Sequence, residues 1–133
     1  MRTIALVLAA GAALLSAPAL QARDKLSGEE RLAKILDGRE AGKPVDCIPL
    51  TASRDMRVID KTAIVYDSGR VIYVNRPTNA KALDDDDVLV TNPHGSQLCR
   101  LDVIKLHDRS GFWYSGFVGL EQFVPYRKVA MSD

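Results

Sequence analysis

The 133-residue chain carries 18 lysine and arginine residues against 17 aspartate and glutamate residues, and 47% of its residues are hydrophobic. This near-neutral charge argues against a nucleic-acid binder or a protein that binds anionic membranes, because such proteins usually present a net basic face. The length fits one domain with a modest hydrophobic core of its own.

The first residues have the layout of a secretory signal peptide. Arg2 precedes an apolar run at 4–15, and small residues permit cleavage after Ala19 or after Ala22. The run is shorter than the ~20 residues that a membrane-spanning helix needs. We therefore expect residues 1–22 to be removed, and the mature protein to be periplasmic or secreted without a transmembrane segment.

Residues 23–44 are predicted to form an N-terminal helix and a linker. Apolar residues recur there at helical spacing, and Ser27 is placed as an N-cap with Glu30 three positions on, the pattern of a capping box. Gly38 is a natural helix stop. The glycine- and proline-containing segment 39–44 is predicted to be the linker.

From residue 45 to 128 the pattern changes to short β-rich runs separated by turn residues, and residues 129–133 are predicted to be a tail. The predicted strands are Met56 to Asp60, Thr62 to Tyr66, Val71 to Asn75, Val88 to Thr91, Leu101 to His107 and a weaker one around Ser115 to Val118.

The hairpin at 62–75 is the clearest element, because Gly69 lies in its turn where a positive φ is wanted. Both faces of this hairpin are largely apolar, which is typical of a strand pair covered on both sides. The sequence thus predicts a small, mainly β domain of the α+β type with one N-terminal helix. Its strands form either an open antiparallel sheet backed by the helix or a partly closed barrel.

Cys47 and Cys99 are the only cysteines. In an exported protein two cysteines favour one disulfide, because the compartment is oxidising. The alternative is two buried free thiols. In the chain-entropy account, closing a loop of this length stabilises the fold by ~4 kcal/mol.

The acidic run Asp84–Asp87 is predicted to be a solvated turn. Its carboxylates could attract a hard cation such as calcium, but they lack the alternating spacing of known calcium loops. We predict no metal and no cofactor.

His94 lies in a loop and His107 ends a strand, and either could act with nearby aspartates in a small hydrolase. No serine lies in a Gly-x-Ser-x-Gly turn, and no His-Glu-x-x-His motif is present. We therefore assign no catalytic residue.

Most of the aromatic residues crowd near the C-terminus, with glycines between them; they are Phe112, Trp113, Tyr114, Phe117, Phe123 and Tyr126. In one interpretation Trp113 and Tyr114, with Phe112, form an exposed platform for a sugar, a peptide or another flat ligand. In the other interpretation, the interior of the sheet is filled by Phe117, Leu120, Phe123 and Val124. This one is favoured, because a small domain needs its aromatic residues for the core.

Several motifs can be compared with known families; they are Cys47-Ile48-x-Leu50, Arg57-Val58-Ile59-Asp60, Ile64-x-Tyr66, Tyr73-Val74-Asn75-Arg76, Gly95-Ser96-x-Leu98-Cys99 and Gly119-Leu120-x-x-Phe123-Val124-Pro125-Tyr126. The pattern resembles a family of small exported proteobacterial proteins of unknown function over roughly 45–128. The resemblance implies a location in a Gram-negative cell envelope and the pairing of the two cysteines. Because the family has no assigned activity, it assigns no functional residue.

The sequence therefore favours a periplasmic, non-catalytic binding or accessory module of the cell envelope. Its partner would be an envelope protein or a small ligand, and not a nucleic acid. The alternatives are the small periplasmic hydrolase using His94 or His107, and a purely structural or stress-related envelope protein.

Overall fold

The structure, a computed structural model, describes residues 25–130. The predicted signal peptide and residues 131–133 lie outside the described residues. Helix α1 (Gly28–Ile35) begins after Ser27, whose hydroxyl accepts a hydrogen bond from the Glu30 amide at 3.2 Å while the Glu30 carboxylate accepts one from the Ser27 amide at 2.9 Å. This is the predicted capping box. Gly38 follows the helix with φ 72°, as expected for a helix stop.

The described part of the chain contains ten strands: β1 (Arg39–Ala41), β2 (Cys47–Pro49), β3 (Met56–Ile59), β4 (Ala63–Asp67), β5 (Val71–Asn75), β6 (Asp87–Thr91), β7 (Gln97–Cys99), β8 (Val103–Asp108), β9 (Tyr114–Gly119) and β10 (Phe123–Lys128). They form a five-stranded sheet in the order β1-β10-β5-β4-β3, a three-stranded sheet in the order β6-β8-β9, and the pair β2-β7. Every pairing is antiparallel. The mainly β fold with one helix is confirmed, and the sheets stay open instead of closing into the partly closed barrel.

Strand β4 is buried on both faces, as the apolar hairpin predicts. Ile64 and Tyr66 pack into a core that also receives side chains from the three-stranded sheet and from β2 and β7. Ala63 and Val65 point the other way, into a second core beneath Leu32 of helix α1. The helix therefore covers the outer face of the five-stranded sheet.

Tyr66 is a polar exception in the main core. Its ring meets the Phe123 ring edge-on, with centroids 5.7 Å apart. Its hydroxyl is fully buried and has no hydrogen-bond partner among residues 25–130. Burial alone raises the pKa of this phenol, because the charged form would lose its hydration.

Cys47 and Cys99 form a disulfide. The two residues lie directly opposite one another in the β2-β7 pair. The predicted pairing is therefore confirmed, although neither of these three-residue strands was predicted.

The segment 39–44 is more ordered than the predicted linker. Arg39–Ala41 pairs with β10, and the Gly42 amide donates to the Pro125 carbonyl at 2.7 Å. The linker prediction is wrong at Arg39–Ala41, because these residues form a strand paired with β10. The local sequence carries no signal for this pairing, since the partner strand lies at the other end of the chain.

Candidate functional site

The three-stranded sheet has one buried face and one exposed face. On β8, Ile104 and Leu106 enter the main core, while Val103 and Lys105 are exposed and His107 is half-buried. This alternation has the period of two that a half-buried strand requires. The outward side chains of β8 therefore form the middle row of a surface.

Strand β9 adds aromatic side chains to that surface. Phe117 lies opposite Lys105, and Tyr114 lies opposite His107, so each pair shares the outward face. Phe117 is 52% exposed and Tyr114 is 57% exposed. The His107 and Tyr114 rings meet edge-on, with centroids 6.0 Å apart.

The turn between β8 and β9 holds Phe112 and Trp113, which are 58% and 60% exposed. The Phe112 ring stacks on His107, with centroids 4.8 Å apart. Trp113 lies over Gly111, where a Cβ atom would overlap the six-membered part of the indole ring. We call the surface formed by these outward side chains and Phe112 the aromatic face; its residues are Val103, Lys105, His107, Phe112, Tyr114 and Phe117.

Asp108 holds the turn together. Its carboxylate accepts hydrogen bonds from the Ser110 amide at 2.8 Å and from the Ser110 hydroxyl, and the Phe112 amide donates to its carbonyl at 2.8 Å. Hydrogen bonds from the Ser110 side chain and amide keep the pKa of the Asp108 carboxyl below its usual value. The ionised carboxylate thus fixes the loop that presents the two rings.

Phe112 is held in the left-handed backbone region, with φ 56°. Bulky residues rarely adopt this conformation, and such strain costs on the order of 1–3 kcal/mol when the surroundings enforce it. An exposed phenylalanine in this conformation contributes little to the core. Its position instead adds apolar area to the aromatic face.

The structure thus exposes the three predicted platform residues, Phe112, Trp113 and Tyr114. The opposing interpretation holds for Leu120 and Phe123, which are buried, but it is wrong for Phe117. Phe117 faces outward because Val118, the next residue on β9, fills the inward position opposite Ile104. Binding by the platform remains a prediction.

The two histidines do not come together. His94 is exposed in the loop beyond the Thr91 end of β6, and His107 lies toward the opposite end of the three-stranded sheet, beside Asp108. Asp102 accepts a hydrogen bond from the Cys99 amide at 2.7 Å. The arrangement contains no serine or aspartate hydrogen-bonded to either histidine among the described residues, so it offers no base positioned by an acid.

Most of the acidic run forms a turn, as predicted, but Asp87 is half-buried and begins strand β6. Asp84, Asp85 and Asp86 are exposed, and the Asp86 amide donates to the Asp84 carboxylate at 2.9 Å. Carboxylate oxygens of Asp60, Asp84 and Asp85 come within 4.8 Å of one another, but Asp85 already pairs with Arg31 at 3.3 Å. One of the three carboxylates thus already has a cationic partner, and the run lacks the alternating spacing of known calcium loops.

Comparisons of the chain with protein-family models, with curated proteins and with solved structures found no match. Between residues 25 and 130, no helix is long and apolar enough to cross a membrane.

Proposed function

We propose that this protein is an exported, non-catalytic binding module that binds another protein of the cell envelope through the aromatic face. The observation that carries the proposal is the exposure of Tyr114 and Phe117 on the outward face of the three-stranded sheet, together with Phe112, whose ring stacks on His107 of the same face. Clustered exposed apolar side chains on a small domain mark interaction sites. Aromatic residues are also enriched among the residues that dominate binding energy at protein interfaces.

The disulfide supports the proposed location. Disulfides persist in the periplasm and outside the cell and are rare in the reducing cytoplasm. Together with the signal-peptide pattern at 1–22, the Cys47–Cys99 bridge favours a periplasmic or secreted protein.

A protein partner fits this surface better than a small ligand does. The aromatic face is an exposed sheet surface, whereas small-molecule sites are concave and bury most of the ligand. Lys105 and His107 supply its polar groups beside the rings. Such a mixture of apolar area and scattered polar groups suits a broad protein contact.

Site-specific photocrosslinking in living cells tests the proposal. A photoreactive amino acid is placed at Tyr114 in one strain and at Glu40, an exposed residue of β1, in a control strain. We expect one discrete adduct with an envelope protein from position 114 and none from position 40. Adducts from both positions, or from neither, would contradict a specific binding role for the aromatic face.

A second variant tests whether the whole face contributes. Phe117→Thr keeps a strand-forming residue while removing the ring, and Val129→Thr changes an exposed apolar residue elsewhere. The adduct at position 114 should weaken severalfold with the first change and persist with the second.

A further inference from the structure

Lys105 is a charged residue in the middle of a largely apolar sheet surface. It lies on β8, the central strand of the three-stranded sheet, and its side chain is exposed. Val90 of β6 lies opposite Lys105 on one side, and Phe117 of β9 lies opposite it on the other. Since directly opposite residues of antiparallel strands share a face, both flanking side chains point outward with Lys105.

The next neighbours of Lys105 on this face carry no negative charge either. Val103 and His107 lie two positions away on β8, so they share its face. His107 is flanked in turn by Val88 of β6 and Tyr114 of β9. Among residues 25–130, Lys105 forms no ion pair with a carboxylate.

The stability of the sheet does not explain a lysine at this position. Lysine is depleted in strands relative to β-branched and aromatic residues. Natural sheets use lysine to protect edge strands, but β8 is paired on both sides, with β6 and with β9. The two remaining roles are solubility of the exposed face and recognition of a partner, and they differ in what happens when the lysine is neutralised.

A partner that covers the aromatic face would remove Lys105 from water. To keep its ammonium in bulk water, the side chain would have to cross a full strand spacing of ~4.8 Å, over Val90 or over Phe117. An ammonium buried without a counter-charge is strongly unfavourable. A carboxylate on the partner, placed opposite Lys105, offsets this cost.

A second copy of this chain does not meet that requirement. A symmetric dimer contact uses the same patch on both copies. A contact centred on the aromatic face would therefore set the Lys105 ammonium groups of the two copies against each other, and like charges across an interface repel. The charge at the centre of the face favours a different protein as its partner.

We propose that the partner of the aromatic face presents an aspartate or glutamate carboxylate within an apolar surface, and that Lys105 pairs with this carboxylate. The inference rests on the proposed function and adds the chemistry of the partner. Tyr114 and Phe117 contact apolar side chains around the ion pair and keep water away from it. Lys105 thus selects among envelope proteins, because a surface without the carboxylate would leave it buried and unpaired.

The test uses the mature protein with the photoreactive amino acid at Tyr114, titrated into an envelope extract of cells that lack this protein. The protein concentration that gives half of the maximal adduct measures the affinity, whatever the crosslinking yield. The parent protein is compared with Lys105→Arg, Lys105→Met and Lys105→Glu. The same three changes at Lys128, an exposed lysine at the end of β10 in the other large sheet, are the matched controls.

The three variants have different expected effects. Lys105→Arg keeps the positive charge, so the affinity should change by less than about threefold. Lys105→Met leaves the partner's carboxylate buried without a counter-charge, so binding should weaken about tenfold or more. Lys105→Glu sets two carboxylates against each other and should abolish the adduct. The Lys128 variants should bind like the parent.

Mass spectrometry of the adduct gives a second readout. The crosslink should lie in a partner segment that contains an aspartate or a glutamate. Changing that acidic residue of the partner to lysine should restore the adduct with Lys105→Glu. This exchange of charges shows a direct pairing, because a general effect of charge on solubility would not be rescued by one residue of the partner.

Several results would overturn the inference. Unchanged or stronger binding by Lys105→Met would show a lysine that serves solubility alone, and it would leave the proposed function intact. A crosslinked segment without a carboxylate, or a crosslink to a second copy of this chain, would have the same meaning for Lys105. Flotation with phosphatidylglycerol vesicles that Lys105→Met abolishes would put a lipid phosphate in place of the carboxylate. No adduct with the parent protein would overturn the inference and the proposed function together.

Discussion

The Phe112 ring stacks on the His107 ring with centroids 4.8 Å apart, although Phe112 has to adopt φ 56° to reach it. Phe112→Gly should therefore be more stable than Phe112→Ala by ~1 kcal/mol, because glycine adopts this φ without steric cost. Urea unfolding of the two variants measures the difference, and neither retains the ring. Equal unfolding free energies would mean that the turn relaxes once the ring is gone.

The aromatic turn should loosen in acid. The Ser110 hydrogen bonds lower the pKa of Asp108 below its usual 3.8, so its ionised form stabilises the turn. That contribution is fully present above the ordinary pKa and is lost as pH falls through the lowered one. NMR should show the Asp108 carboxyl titrating below 3.8 together with the Ser110 amide. Asp108→Asn should remove that transition, and a midpoint at or above 3.8 would contradict the hydrogen bonding.

Removing the buried hydroxyl of Tyr66 should not destabilise the protein. The group lacks a partner among the described residues, so Tyr66→Phe spares the cost of desolvating it and should raise the unfolding free energy by up to ~1 kcal/mol. Thermal unfolding measures the change, with Tyr73→Phe on the neighbouring strand as the control. A loss of stability would instead reveal a buried water bonded to the hydroxyl.

The disulfide should contribute a large part of the stability. Replacing both cysteines with alanine opens a loop with a sequence separation of 52 and should cost ~4 kcal/mol in unfolding free energy. Mass spectrometry of the unreduced protein should detect no alkylatable thiol. Two reactive thiols per chain, or a double variant as stable as the parent, would contradict this role.

The elements that could be predicted from sequence are those with local signals. Ser27 and Glu30 predict where the helix begins, and Gly69, which has φ 89°, predicts the turn of the β4-β5 hairpin. The sequence of strand β10 argues against a strand, because Pro125 lies within it. The Gly42 amide donates to the Pro125 carbonyl, so the Pro125 nitrogen points to the same side, toward Gly42. Strand β1 has already ended at Ala41 on that side. The proline is therefore tolerated, because its missing N–H removes no hydrogen bond between β10 and β1.

The orientation of the aromatic residues could not be predicted, because it depends on a bulge. Tyr114 and Phe117 are three positions apart, so strict alternation would place them on opposite faces. The register between β8 and β9 shifts at Leu106 and His107, and the extra residue on β9 puts both rings on the same face. The alternation of Val103, Lys105 and His107 on β8 was the available signal for an exposed surface.

Strand β4 lies between two cores, and this limits how its sequence can diverge. Ala63, Ile64, Val65 and Tyr66 are each at most 1% exposed, so a polar or larger side chain at any of these four positions enters one core or the other. Most strands have one exposed face on which substitutions are tolerated, but β4 has no such face. Distant relatives of the protein should therefore be recognisable first by this strand, even where their surfaces have diverged completely.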